Sequence, residues 1–254
     1  MRFLFRKLPI FVALQGLSPM RLFLIAISIL LITQINVYAQ GSSNFQIWTD
    51  FSPSYNFSEQ WKIGGDVGYR IEPETKFQVA YIRPAINYKL SKIINLTAGV
   101  ANFNSWEPHK FIKTEIRTFQ FIAVSWPRIG GFQFKHRLGL EQRWFYLAEF
   151  NLDKYVNRSR YYLELKSPKF TLFRISAPFF VTANFEILRD LNNNEFGKLA
   201  DHNRYTLGIG NYITDRFRAE VRFKLINTVD PLTKNYIREI NVLRIRLYYR
   251  FNST

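Results

Sequence analysis

Residues 243–251 read LRIRLYYRF, and this stretch decides the fold class. Apolar and aromatic side chains take every second position, and arginine takes most of the positions between them. A period of two is the side-chain repeat of a β-strand. Alternation of this kind that ends in aromatic residues is typical of strands that cross a membrane with one face in lipid. The stretch therefore predicts a strand with an apolar outer face and a basic inner face.

The same division recurs along the chain after residue 40. Segments that show it are 61–71, 132–144, 158–165, 173–186, 204–210 and 216–225. We count about eleven segments of roughly 10–14 residues, and single-chain bacterial barrels usually have an even number of strands, so ten or twelve are expected. A break at Ser52-Pro53-Ser54 would supply a twelfth segment. Segment 111–126 changes phase part-way, which a β-bulge would explain.

The connections between segments alternate in length. Short ones are predicted near residues 58–59, 91–92, 128–130, 167–168 and 214–215. Longer ones are predicted near residues 104–111, 147–156, 189–202 and 228–238. Short turns on one side and longer loops on the other are typical of membrane barrels, where they are periplasmic and extracellular respectively.

The composition agrees with a membrane barrel but leaves a soluble β-sandwich as the alternative. Aromatic residues make up 17% of the 254 residues, with 25 Phe, 14 Tyr and 5 Trp. After residue 38, no apolar run approaches the ~20 residues that a membrane helix requires. The chain has no cysteine, which excludes disulfides, thiolate metal sites, a cysteine nucleophile and a lipidated cysteine.

Residues 1–39 are predicted to be an export signal. A basic residue, Arg21, precedes the apolar run 22–32, and the segment ends on Val37-Tyr38-Ala39, which resembles a cleavage site. Cleavage there would leave 40–254 as the mature barrel, and Met20 is a candidate for the true start. An uncleaved membrane anchor is the alternative interpretation, which the short apolar run disfavours.

The basic residues of the strands are predicted to face inward. The formal net charge is +16, and the polar strand faces carry roughly three bases for each acid. A Lys or Arg in contact with lipid at the bilayer midplane costs about 2–4 kcal/mol, so these faces require a lumen. The predicted lumen-lining residues are Arg70, Arg83, Arg117, Arg137, Glu141, Arg143, Arg158, Arg160, Glu164, Arg174, Glu186, Arg204, Arg218, Glu220, Arg222, Arg244 and Arg246.

Two roles for such a lumen remain open at this stage. Ion pairs between arginines and acids would fill the bore as a structural network, whereas an unpaired positive surplus would favour the passage of small anions. Nucleic-acid binding is not expected, because it needs bases and stacking aromatics on one accessible face, and here they lie on opposite faces.

No catalytic residue, metal site or cofactor is predicted. Ser125 and His136 lie on one hairpin, but their positions have opposite parity and no third orienting group is evident. The Asn-rich segment 190–201 has Glu195 where a calcium loop requires glycine. A lipid-modifying enzyme and a surface protein that acts through loops 147–156 and 189–202 are kept as alternatives.

Several motifs resemble the domain of unknown function 2490 family, a group of outer-membrane barrel-like proteins of Gram-negative bacteria. The similarity covers 40–254 and rests on Trp48 and on four motifs. These motifs are GLEQRW at 139–144, RSRYY at 158–162, NRYTLGIG at 203–210 and LYYRF at 247–251. The resemblance implies a barrel in the outer membrane and brings no established activity.

Together these observations predict an all-β protein, an antiparallel up-and-down transmembrane β-barrel of about 10–12 strands. We expect it in the outer membrane of a Gram-negative bacterium. Its expected partners are outer-membrane lipid and lipopolysaccharide, the barrel assembly machinery that reads aromatic C-terminal signals such as Phe251, and small anionic solutes.

Overall fold

A computed structural model describes residues 44–148, 152–172, 175–191, 202–229 and 236–251, and all of its regular elements are strands. The export signal predicted at 1–39 lies outside the described residues. The strands are β1 (Asn44–Asn56), β2 (Trp61–Glu72), β3 (Phe77–Lys89), β4 (Ile94–Glu107), β5 (Lys110–Ser125), β6 (Gln133–Leu147), β7 (Leu152–Lys166), β8 (Phe170–Leu172), β9 (Ile175–Asp190), β10 (His202–Tyr212), β11 (Phe217–Val229) and β12 (Tyr236–Arg250).

Eleven of these strands close into a mostly antiparallel barrel, which confirms the predicted all-β barrel fold. Neighbours along the chain pair in antiparallel fashion from β1 to β7, and β7 continues through β9 to β12. Among the described strands, the three-residue β8 pairs only with β9, and it is not one of the strands that form the closed barrel. The even strand number was wrong. Because eleven is odd, the first and last strands run the same way, and β1 pairs with β12 in parallel, with Trp48 opposite Arg244.

Several predicted boundaries differ from the structure. Ser52-Pro53-Ser54 lies inside β1, which is continuous, so the predicted break is wrong. The loop expected at 104–111 is a two-residue turn at 108–109, where His109 has a φ of 62°. β7 already begins at Leu152, inside the loop expected at 147–156. Most of the segment 190–201 lies outside the described residues.

The two ends of the barrel are named by their connections. The turn end carries the short connections 57–60, 90–93 and 213–216, together with 126–132. The loop end carries the turns 73–76 and 108–109 and the connections that follow β6, β9 and β11. The short connections predicted from the sequence all fall at the turn end.

The strand faces differ as the alternation predicts. Large apolar side chains stay exposed on the outside of the wall, among them Ile63, Ile82, Val100, Leu138 and Ile245. The side chains between them point into the barrel, and most of them are charged or polar and buried. In the described part of the chain, no helix is long and apolar enough to cross a bilayer.

The phase change in β5 has two causes, and one of them is the predicted bulge. Phe119 and Phe121 point inward and are buried, whereas Thr118 and Gln120 point outward and bond Gln142 of β6. From Lys113 onward the strand keeps one pleat, so there the two faces exchange apolar and polar residues without a change in geometry. The bulge lies at the loop end of β5, where Ser105 and Trp106 of β4 pair with Lys113 and Phe111 and leave Ile112 as the extra residue.

Glycines in neighbouring strands make room for the inward rings. A Cβ on Gly139 would stand 1.8 Å from the ring of Phe121, and a Cβ on Gly99 would stand 2.4 Å from the ring of Phe119. The rings therefore lie flat against the wall and not across the bore. Covering a strand glycine with a cross-strand aromatic is a known device for stabilising sheets.

Candidate functional site

A cavity of about 1060 Å³ occupies the half of the lumen nearer the turn end. Its lining includes the turn residues Ser58, Glu59, Thr214 and Asp215, so the mouth lies at that end. Among the described residues, seventeen lysines or arginines and six acids line it. This imbalance gives the cavity a strongly positive wall. Such a wall, enclosed by protein, concentrates anions.

The half of the lumen nearer the loop end is filled by a buried ion-pair network. Glu115 accepts hydrogen bonds from Arg117 and Arg143, each with an N–O distance of 2.5 Å. Glu141 pairs with Arg158, whose Nε lies 2.9 Å from the carboxylate, and also with Arg160. All six residues are largely buried, and Glu141 and Arg158 are each only 2% exposed. Their side chains therefore fill this half of the lumen.

Glu186 on β9 joins this network to the cavity. It pairs with Arg160, and its carboxylate also lies 3.3 Å from Arg204 and 3.5 Å from Arg137. Arg160 bridges Glu186 and Glu141 with its two terminal nitrogens. A forked guanidinium between two carboxylates is the geometry for which arginine is better suited than lysine.

A second cluster braces the parallel seam between β1 and β12. Asp50 of β1 pairs with Arg244 of β12, and Asp66 of β2 pairs with Arg83 of β3. Arg246 reaches across the seam to Asp66 at 3.1 Å. These contacts connect four strands at the place where the barrel closes.

A third cluster lines the cavity on the side of β7, β11 and β12. Arg222 donates to Glu220 at 2.6 Å, and the hydroxyl of Tyr248 donates to the same carboxylate at 3.2 Å. Tyr162 donates to Glu164 at 2.5 Å. These two acids offset part of the positive charge of the wall, which still carries more bases than acids.

The predicted lumen residues fall into three groups in the structure. Arg174 lies outside the described residues. Buried in the network and away from the cavity are Glu141, Arg143 and Arg158. The cavity is lined by Arg70, Arg83, Arg117, Arg137, Arg160, Glu164, Glu186, Arg204, Arg218, Glu220, Arg222, Arg244 and Arg246.

The predicted list left out other lumen residues. Of the lysines that line the cavity, Lys62, Lys135 and Lys224 lie on strand faces that were predicted to point inward, and Lys166 was missed. The aromatic lumen residues that were missed are Trp48, Phe103, Phe119, Phe121 and Phe180. Trp48 could have been found from its parity, because it alternates with Asp50 and Ser52, which are also buried. The inward phenylalanines could not, since aromatic residues were expected on the outer face.

No pair of residues forms a hydrolase-like site in the described part of the chain. His136 lies on the outer face, where its Nδ1 is 2.8 Å from the hydroxyl of Tyr161. Ser125 is paired in the sheet with Lys135, next to His136 but on the opposite face. The described residues contain no group of three potential metal ligands among His, Asp and Glu.

Comparison with known proteins identifies a family. No curated protein is similar enough to be counted as a relative. The family model described as "Protein of unknown function (DUF2490)" matches residues 45–252, which span the whole barrel. The chain therefore belongs to the DUF2490 family.

Proposed function

We propose that this protein is a non-enzymatic barrel of the bacterial outer membrane whose lumen is closed to through-passage at the loop end. The observation that carries the proposal is the buried network around Glu115 and Glu141, which fills that half of the bore. The cavity is then a blind cup that opens only at the turn end. The role would be structural, with the cup available to solutes from one side.

The outer surface supports a membrane location. Exposed side chains such as Val67, Val100, Leu140 and Val221 form an apolar belt that a soluble barrel would have to cover. Aromatic residues such as Trp61 and Trp126 stand exposed near the turn end, where an interfacial girdle is expected. Lipid and lipopolysaccharide are the partners that this surface would contact.

The longest connection between strands, residues 191–201, lies at the loop end and supports one orientation. Membrane barrels keep short turns in the periplasm. The turn end would therefore face the periplasm, and the cup would open toward it. Phe251, beside the last strand, would be read from the same side by the barrel assembly machinery.

The pairing at the loop end favours closure over conduction. Moving an ion past Glu141, Arg158 and Arg160 would require buried, mutually bonded side chains to separate. Breaking one buried pair costs about 3–5 kcal/mol. Such a barrier makes spontaneous opening rare.

Single-channel recording in planar bilayers tests the proposal. The folded wild-type protein should give no conductance steps. The double variant Arg143→Ala, Arg158→Ala should conduct, because it removes two large side chains while Arg117 and Arg160 still pair with the two acids. The matched control Arg216→Ala, Arg250→Ala, at the mouth, should stay silent. Large anion-selective steps from the wild type would contradict the closed barrel and show that the protein is a pore.

The location has its own test. The protein should sediment with the outer membrane, and its gel mobility should change on heating, as that of folded membrane barrels does. Recovery in the soluble or inner-membrane fraction, with no change on heating, would contradict the proposal. A lipid profile that changed when the gene was deleted would favour the lipid-modifying enzyme instead.

A further inference from the structure

We infer that the floor of the cup is a binding site for a phosphate dianion. The floor site is formed by Trp48, Arg70, Arg204, Lys224 and Arg244, all of which line the cavity. This inference goes beyond the closed barrel, which needs no ligand.

Three cations surround one indole ring in the floor site. The guanidinium carbon of Arg70 lies 4.0 Å from the ring centroid of Trp48. Lys224 Nζ lies 5.4 Å and the guanidinium carbon of Arg244 lies 5.5 Å from the same centroid. An aromatic face attracts a cation but does not neutralise its charge. The indole therefore holds the cations close together without neutralising them, so they can still bind an anion.

Two of these cations lack a carboxylate partner. Arg244 is paired with Asp50. For Arg70 and Lys224, by contrast, no carboxylate of the described residues lies within ion-pair distance. Lys224 is only 7% exposed, and the buried Nε of Arg70 has no hydrogen-bond partner. Arg204 shares its carboxylate, Glu186, with Arg160 and Arg137.

This arrangement differs from the rest of the lumen. Burying a cation without a counter-charge is costly. At the loop end the chain supplies Glu115 and Glu141 to pair its arginines, whereas at the floor Arg70 and Lys224 face Trp48. Two cations that border a cavity open to water and have no ion pair among the described residues would be balanced by one doubly charged anion.

The class of the anion follows from its binders. Guanidinium forks and a lysine ammonium are the usual partners of phosphate oxygens. Lys62, Lys135 and Lys166 line the path from the mouth and would draw anions inward. A phosphate dianion can come from a soluble phosphate or from the headgroup of a lipid, and the test below separates these two sources.

The test is calorimetric titration of the full-length folded protein in detergent micelles. One arm uses inorganic phosphate, a second uses short-chain phosphatidic acid, and acetate serves as the monoanion control. The wild type should bind phosphate well above acetate, and phosphate should raise its unfolding temperature. Tighter binding of phosphatidic acid than of phosphate would assign the site to a lipid headgroup, and the reverse order would assign it to a soluble phosphate.

Variants locate the binding in the floor site. Arg70→Gln and Lys224→Gln should each weaken phosphate binding about tenfold or more, because each removes a charge-assisted contact. Lys92→Gln, which removes one charge from an exposed turn at the same end, should leave it unchanged. Heat-modifiable gel mobility confirms that a variant is folded. If one of the two floor variants does not fold, the other is sufficient to test the site.

Two outcomes would overturn the inference. One is wild-type protein that binds phosphate no better than acetate, which needs no variant. The other is equal binding by the floor variants and Lys92→Gln, which would indicate general attraction by the positive cup. The bilayer recording is independent of these results, because a conducting wild type would overturn the closed barrel and leave the titration to decide the floor site.

Discussion

The two halves of the lumen contain the same types of charged residue but differ in how these residues are paired. At the loop end, Glu115 and Glu141 each bind at least two arginines, so each buried charge there has a partner of opposite sign although the arginines outnumber the acids. In the cup, Arg70 and Lys224 lie against aromatic rings and have no carboxylate of the described residues within ion-pair distance. The comparison teaches that a basic lumen is not one electrostatic environment. Where acids stand opposite arginines in register the barrel is sealed, and where they do not it retains positive charge.

The largest expected effect is the loss of an acid from the sealed half. Glu141→Gln leaves Arg158 and Arg160 partly unpaired in a buried place, so the free energy of unfolding should fall by about 3–5 kcal/mol. Urea unfolding in lipid vesicles, followed by tryptophan fluorescence, measures it. Glu59→Gln, at the exposed mouth, is the control and should change stability by less than about 0.5 kcal/mol. Equal effects of the two variants would show that the halves do not differ.

A smaller effect is expected from a change in the packing of the cup wall. Gly139→Ala places a Cβ against the ring of Phe121 and should destabilise the barrel by about 1–3 kcal/mol. In a Phe121→Leu background the same substitution should cost less, because the ring that it meets is gone. Additive effects of the two substitutions, measured by the same unfolding experiment, would argue against this contact.

The smallest effect is expected from a cup lysine. Lys135→Gln removes a cation that has no ion pair among the described residues and stands beside Arg137. The free energy of unfolding should be unchanged within about 0.5 kcal/mol, or rise slightly as repulsion is relieved. A loss as large as that of Glu141→Gln would mean that the cup is as tightly paired as the sealed half.

Much of the wall could be predicted from the sequence, because the alternation of apolar and polar residues within one strand identifies its two faces. The outward Ile245 and Leu247 and their arginine neighbours follow directly from a period of two. The odd strand number could not be predicted, since turn signals separate strands but do not say how the first meets the last. The parallel closure of β1 on β12 depends on tertiary geometry alone.

The site was less predictable than the wall, because it depends on relations between strands. Glu141 meets Arg158 directly across the β6–β7 ladder, and the register of that ladder cannot be read from either strand alone. Phe121 faces inward because Gly139 on the next strand leaves space for its ring. Single-strand parity assigned charges to the lumen but could not say which of them would be paired.

Chemical labelling tests the central claim, a lumen open at one end and sealed at the other. The chain has no cysteine, so Ser54→Cys in the cup and Ser105→Cys in the sealed half each introduce one thiol with little change in size. Ser105 is 4% exposed, whereas Ser54 lines the cavity. With a charged methanethiosulfonate reagent on the folded protein, the Ser54→Cys thiol should react readily and the Ser105→Cys thiol should stay protected until unfolding. Similar rates at both positions would contradict the sealed half and, with it, the closed barrel.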